Sequence, residues 1–144
     1  MEHFSKYVLD TDHLSLMQRN GLSGQQIRVR LSVLSVDQVA TTVISFEEQV
    51  KGRLLLLSQA KTAEKVTSAY RGLQQLAVDY RSIALLAFDT AAFDKARQLR
   101  KQHPRLGAMD LKIAAIVLTQ GAVLLSRNRS DFGQITELPL EDWS

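Results

Sequence analysis

Leu106–Ser126, LGAMDLKIAAIVLTQGAVLLS, is the stretch whose reading decides the fold. Ile113, Ala114 and Val117 follow Asp110 at i+3, i+4 and i+7, the spacing of one helical face, so a helix is predicted from near Asp110 to Gln120. Gly121 is a natural stop, since glycine adopts the left-handed conformation that closes many helices. Ala122–Ser126 then reads as a strand ending in a polar turn, RNRS. A helix delivered directly into a short apolar strand is half of an α/β unit.

The same alternation continues outward. Tyr7–Leu9 is a short β-rich run ending at Asp10, with Asp12 expected to cap a helix that starts near His13. A second helix is predicted over Gln25–Leu34. Val39–Ile44 (VATTVI) is β-branched and reads as a strand, with a helix starting at Ser45. Phe46–Gln59 and Ala63–Asp79 suggest a helical hairpin. Ile83–Phe88 (IALLAF) is fully apolar and reads as a buried strand, and Thr90 as the cap of a basic helix ending near Gln102. A last strand is expected near Ile135–Leu140. Strands separated by helices imply an α/β protein: a mainly parallel sheet covered on both faces, with the hairpin as an insertion.

At 144 residues the chain matches one ordinary domain, read here as a single unit over 1–144. The longest apolar runs fall far short of the roughly 20 residues a membrane span needs, and MEHFSKYVLDTD has no leader-like pattern. No cysteine is present, which excludes disulfides, zinc–thiolate sites and thiol catalysis. A cytoplasmic location without membrane contact is expected. The net charge of +3 permits an acidic partner without demanding one.

Carboxylates carry the chemistry. In an open parallel sheet, ligands gather outside the carboxyl ends of the strands. Asp10 directly follows the first strand, Glu48 lies one turn into the helix after the second, and Asp110 starts the helix leading into the fourth. Each also has a purely structural explanation: Asp10 as a turn residue, Glu48 as partner of Ser45 in a Ser-x-x-Glu capping box, Asp110 as a helix-start acid. Yet Asp110 shares the apolar face of its helix, where an unpartnered carboxylate is costly. Clustered carboxylates are relieved by a shared proton or a cation, and oxygen ligands favour Mg²⁺ or Mn²⁺. Such ions assist displacement at phosphorus. The residues alone lead to a candidate phosphoryl-transfer site and no further.

Four segments, in order, carry a family resemblance: YVLDTDHLS; VISFEEQVKG, where Glu48 rather than Glu47 stands four residues before Gly52; LGAMDLKIAA; and VLLSRNRSDF followed by LPLEDW. Together they resemble the PIN domain and, within it, VapC-type toxins of VapBC toxin–antitoxin pairs, from Tyr7 to Trp143. The resemblance implies a PIN-like three-layer α/β/α fold and RNA cleavage by a metal-activated water that leaves a 5′-phosphate and a 3′-hydroxyl. It also implies a site of Asp10, Glu48 and Asp110 binding Mg²⁺ or Mn²⁺, homodimerisation, and neutralisation by a small antitoxin. Where many relatives carry a further Asp this chain has Asn128, so Asn128 or Asp131 is the candidate fourth ligand. Asp12 and Ser126 are expected beside the ligands rather than on the metal.

Arg127 and Arg129 flank the proposed pocket as candidate phosphate contacts, and Arg97, Arg100 and Lys101 form a basic helical face for RNA or antitoxin. His13 is expected to be an exposed first-turn histidine. Two other functions compete. The LDTD segment superficially resembles the nucleophile motif of haloacid-dehalogenase-like phosphatases, but Leu14 stands where that family has Thr or Val. A PIN-like module that binds RNA or protein without cutting is the second, because Asn128 removes a charge.

Overall fold

The computed structural model describes residues 6–144; part of the stretch read for a leader, 1–5, lies outside the described residues. The chain runs β1 (Tyr7–Leu9), α1 (Thr11–Gln18), α2 (Leu22–Leu31), a 3-10 turn (Val36–Gln38), β2 (Val39–Thr42), α3 (Val43–Gln59) and α4 (Ala63–Asp79). There follow β3 (Ala84–Leu86), α5 (Thr90–Gln102), α6 (Ala108–Thr119), β4 (Val123–Leu125), α7 (Arg129–Phe132) and β5 (Leu140–Glu141). The strands pair in the order β3-β2-β1-β4-β5, every neighbouring pair parallel. The fold is α/β, as the alternating pattern implies.

Side chains of successive strand residues point to opposite faces, and the core divides accordingly. Val8, Ala40, Leu86 and Leu124 pack with Ile44 of α3, Leu99 of α5 and the apolar side of α6. Leu9, Val123 and Leu125 face the other way, onto Leu14 of α1, Ile27 of α2 and Trp143 from the C-terminal tail. Helix α6 lies deepest: Ile113 to Val117 are all buried. It ends at Thr119 with Gln120 as its cap, and the next residue, Gly121, has a φ of +61°, the left-handed value expected of that glycine. No helix among the described residues is long and apolar enough to cross a membrane.

Several boundaries differ from the sequence reading, each for a local reason. Asp10 rather than Asp12 caps α1, its Oδ1 accepting the His13 amide at 2.7 Å. Helix α2 begins at Leu22 and ends at Leu31, about one turn earlier than read. Strand β2 stops at Thr42, because the Thr42 hydroxyl caps α3 by accepting the Ser45 amide. Ser45 therefore lies inside the helix, and the Ser45–Glu48 capping box does not form. Asp89, not Thr90, caps α5. The IALLAF strand is an edge strand: β3 has a neighbour on one side only, and Ala84 and Leu85 are exposed. The last strand is only Leu140–Glu141, while Ile135 and Leu138 are buried in the loop before it.

Candidate active site

Strand order fixes where a site can form. The chain leaves β1 toward β2 and β3 on one side and returns to β4 and β5 on the other, so the connections diverge between β1 and β4. A crevice outside the carboxyl ends of those strands follows from that reversal. Asp10 ends β1, Ser126 to Asn128 follow β4, and the start of α6 closes the side. There the structure has a pocket of about 340 Å³, lined by Asp10, Asp12, Glu48, Asp110, Arg127 and Asn128 among others. Ile113 and Phe132 supply apolar wall. Three carboxylates drawn from segments far apart in sequence thus meet in one crevice.

Their environments differ. Asp10 is 5% exposed, and burial pushes its carboxyl from an ordinary 3.8 up to about 6. The neighbouring charges of Asp12 and Asp110 push the same way, while Ser126 and the His13 amide favour the ionised form. Asp110 is also raised, by burial first and then by the carboxylates of Asp131 and Glu48. Among the described residues, no side chain donates a hydrogen bond to Asp110. Glu48, freed from the capping box, is instead held across the pocket: the Thr11 hydroxyl lies 2.6 Å from its Oε1 and 3.0 Å from Ser45 Oγ. Sequence reasoning missed Thr11 and gave Ser45 a different part. The signal for Thr11 is the hydroxyl inside the DTD triplet, which means nothing until Glu48 is known to lie opposite.

Asp12 and Arg127 form a bidentate pair at the rim, with contacts of 2.7 and 2.9 Å. Two residues expected to play separate parts are one unit. Ser126 is fully buried, accepting the Asn128 amide at 2.9 Å. Asn128 lines the pocket, but its Oδ1 accepts from Ser130 Oγ and the Asp131 amide, capping α7, while its Nδ2 donates to Asp131 Oδ2. Asp131 is outside the lining and reaches the site through its charge on Asp110.

His13 departs from expectation: it is completely buried. Its Nε2 accepts the Trp143 amide at 3.1 Å, so the ring proton sits on Nδ1, and burial holds the imidazole below its ordinary pKa. Nδ1 lies 3.7 Å from Asp10 Oδ1 and has no hydrogen-bond partner among the described residues. The imidazole therefore ties the C-terminal tail to the first turn of α1, beside Asp10.

Asp10, Asp12 and His13 offer ligand atoms within 4.8 Å of one another. Two of those three are already engaged, however: His13 Nε2 by the tail and Asp12 by Arg127. Asp10, Glu48 and Asp110 line the open crevice with carboxylate oxygens, the donors a hard divalent cation takes, but these three do not hold their oxygens within 4.8 Å of one another.

The remaining arginines sit elsewhere. Arg129 is exposed on α7 and outside the pocket lining. Arg97, Arg100 and Lys101 lie on α5, outside the lining of the acidic crevice. Arg97 approaches the Phe93 ring at 5.9 Å. Arg100 donates to the carbonyls of Leu106 at 2.7 Å and Pro104 at 3.1 Å, so its guanidinium pins a loop instead of facing outward.

No protein-family model matches the chain. It is 27% identical to Ribonuclease VapC1 of Haemophilus influenzae strain R2866 over 96% of this chain and 98% of that protein. The same identity and coverage hold for Ribonuclease VapC1 of strain 86-028NP. Among solved structures, DNA-bound VapBC from Salmonella typhimurium superposes with a TM-score of 0.78 at 22% identity, covering 96% of this chain and 98% of that one. VapBC-1 of nontypeable Haemophilus influenzae follows at 0.75 and 23%, covering 95% and 97%. The likeness carried by four motifs is thus a likeness of nearly the whole chain: in sequence and in fold it resembles the VapC-type PIN toxins of VapBC pairs.

Proposed function

We propose that this chain, acting as a single PIN domain, is a metal-dependent endoribonuclease and the toxin of a type II toxin–antitoxin pair. The observation that carries the reading is the convergence of Asp10, Glu48 and Asp110 on one crevice at the sheet's switch point, with Asp10 and Asp110 both raised by burial and by neighbouring carboxylates. Natural ligands for such a site are Mg²⁺ or Mn²⁺, held by those three side chains. When bound, the cation would supply charge neutralisation at the scissile phosphate and activation of the attacking water.

The protein's own groups prepare that chemistry. Thr11 fixes Glu48, the His13 amide fixes Asp10, and the Asn128 cap holds Asp131 where its charge bears on Asp110. Arg127, at the rim and paired with Asp12, is the cation best placed to meet a phosphate. Asn128 or Asp131 remains the proposed fourth ligand; Asn128 would have to release its cap to serve. Likeness to a protein named a ribonuclease supports RNA as the substrate, and likeness to VapBC and toxin–antitoxin complexes supports an antitoxin partner; homodimerisation rests on the family resemblance of the sequence alone. Neither the phosphatase nor the non-cutting module is favoured by these relatives.

The test is incubation of the purified protein with a panel of structured RNAs in EDTA, Mg²⁺ or Mn²⁺. Cleavage is expected only with metal, and Asp10→Asn, Glu48→Gln and Asp110→Asn should each abolish it without unfolding the protein. Full cleavage by Asp110→Asn would overturn the assignment.

A further inference from the structure

Strand pairing brings Asp12 and Arg127 together. β1 and β4 are neighbours, with Leu9 beside Leu125, so the residues that follow them stand side by side at the carboxyl edge of the sheet. Asp12 lies in the first turn of α1 and Arg127 two residues beyond β4, and their ion pair spans 115 positions of sequence. The backbone at Arg127 is held on both sides. Ser126 before it is fully buried, and Asn128 after it donates its amide to Ser126 Oγ and caps α7. The arginine side chain is the part left to be ordered, and Asp12 is the group that orders it.

The pair leaves donors unspent. A guanidinium carries five N–H groups in a rigid plane. Arg127 donates from Nε to Asp12 Oδ2 at 2.7 Å and from Nη2 to Oδ1 at 2.9 Å, which uses the side edge of that plane. The N–H groups of Nη1 and the second one of Nη2 remain. They make up the end edge, and no group among the described residues accepts from it. Such an edge is the planar fork that takes two oxygens of one phosphate. Asp12 offsets the charge of the pair, but it occupies only one edge of the plane and fixes the direction of the other.

The crevice has no other group for this part. Arg127 is the only cation in its lining, against Asp10, Asp12, Glu48 and Asp110. Asp10 also acts on its charge, so the guanidinium stands within electrostatic reach of that buried carboxyl. Stability does not account for the pair: both side chains are about half exposed, and exposed ion pairs contribute little. Nor is Asp12 a free metal ligand. It offers an oxygen near Asp10 and His13, yet both of its oxygens are taken by Arg127.

Resting on the nuclease reading, we infer that Asp12 is a positioning residue, which holds Arg127 so that the free edge of its guanidinium grips one phosphate of the RNA at the crevice mouth. Asp12 itself touches neither RNA nor cation. Its carboxylate therefore strengthens the binding of a polyanion, against the sign of its own charge. That reversal separates positioning from plain electrostatics.

Binding of a fluorescein-labelled eight-nucleotide single-stranded RNA in EDTA needs neither metal nor turnover, so it decides the inference even if the nuclease reading fails. Arg127→Gln should weaken binding several-fold and reduce the slope of log affinity against log salt by about 0.7, one contact to a single strand. Arg127→Lys should keep the slope and still lose affinity, because an ammonium is a point charge without the fork. Asp12→Ala should also weaken binding several-fold, although it removes a negative charge, and should weaken nothing further in the Arg127→Gln background. Plain electrostatics predicts the opposite, tighter binding by Asp12→Ala in both backgrounds. Excess Mg²⁺ should raise the unfolding temperature of Asp12→Ala as much as that of the wild type, since no ligand is lost. RNA binding by Asp12→Ala as tight as the wild type's or tighter, a wild type that binds no RNA even at low salt, or a smaller Mg²⁺ increment in Asp12→Ala would each overturn the inference. All variants should unfold as cooperatively as the wild type, as expected of an exposed pair.

Discussion

Helix α6 belongs to two regions that treat burial in opposite ways. Its first turn carries Asp110 into the acidic crevice, and its next turns carry Ile113 to Val117 into the core. Removal from water stabilises the isoleucines, because their apolar surface leaves solvent. The same removal raises the carboxyls of Asp10 and Asp110, because it penalises their charged form. One desolvated layer thus anchors the fold on one side and stores electrostatic cost on the other, as functional sites often do.

The largest effect on stability is expected in the core. Ile116 is 0% exposed in the middle of α6. Ile116→Ala removes buried methylenes and leaves a cavity, so it should cost roughly 2–5 kcal/mol in urea unfolding. A loss below about 1 kcal/mol would mean that α6 is not the packed centre described here.

In the crevice the sign reverses. Asp10 has a folded pKa near 6 against an ordinary 3.8, so the metal-free folded state holds this proton more tightly than the unfolded chain. The stability it contributes is fully present below about pH 4 and is lost as pH rises through about 6. Asp10→Asn keeps the cap on α1, since asparagine caps as well as aspartate. In EDTA at pH 7 it should therefore stabilise by on the order of 1–3 kcal/mol, a gain that vanishes near pH 4. Urea unfolding at both pH values checks this, and a mutant less stable at pH 7 would make Asp10 a structural cap only.

Asp110→Asn should act in the same direction but less strongly. Its charge is disfavoured by burial and by Asp131 and Glu48, yet it also sits in the first turn of α6, where removing it forgoes roughly 0.3–1 kcal/mol of dipole interaction. The gain in EDTA should come with a smaller increment on adding excess Mg²⁺. A loss in EDTA with an unchanged Mg²⁺ increment would make Asp110 a helix-start residue and nothing more.

The parts of the site legible in the sequence were those with local signatures. Asp10 after a β-rich run, Asp110 on an apolar helical face and Gly121 as a stop each follow from a few neighbours. What stayed hidden depends on contacts distant in sequence. Thr11 meets Glu48 across 37 positions, and the buried His13 accepts the backbone amide of Trp143, 130 positions on. Nothing near His13 announces that the C-terminal tail will reach it. The Ser45–Glu48 capping box fitted the local pattern and was wrong, because Thr42 reached the helix end first.

The smallest effect probes the same limit at the sheet edge. IALLAF and IAAIVL are apolar runs of equal length, and the sequence offers no reason to rank one above the other. Strand order separates them. The second run lies in α6, packed beneath the sheet, whereas the first forms β3, which pairs only with β2. Leu85 is consequently 43% exposed. Leu85→Ala leaves no enclosed cavity and should change stability by only about 0.5 kcal/mol or less, near the ordinary range for surface substitutions. A loss approaching that of Ile116→Ala, concentration-dependent in unfolding experiments, would instead place Leu85 in a contact between copies of the chain. The edge would then be buried in the assembly, and the contrast between the two runs would hold only for the isolated subunit.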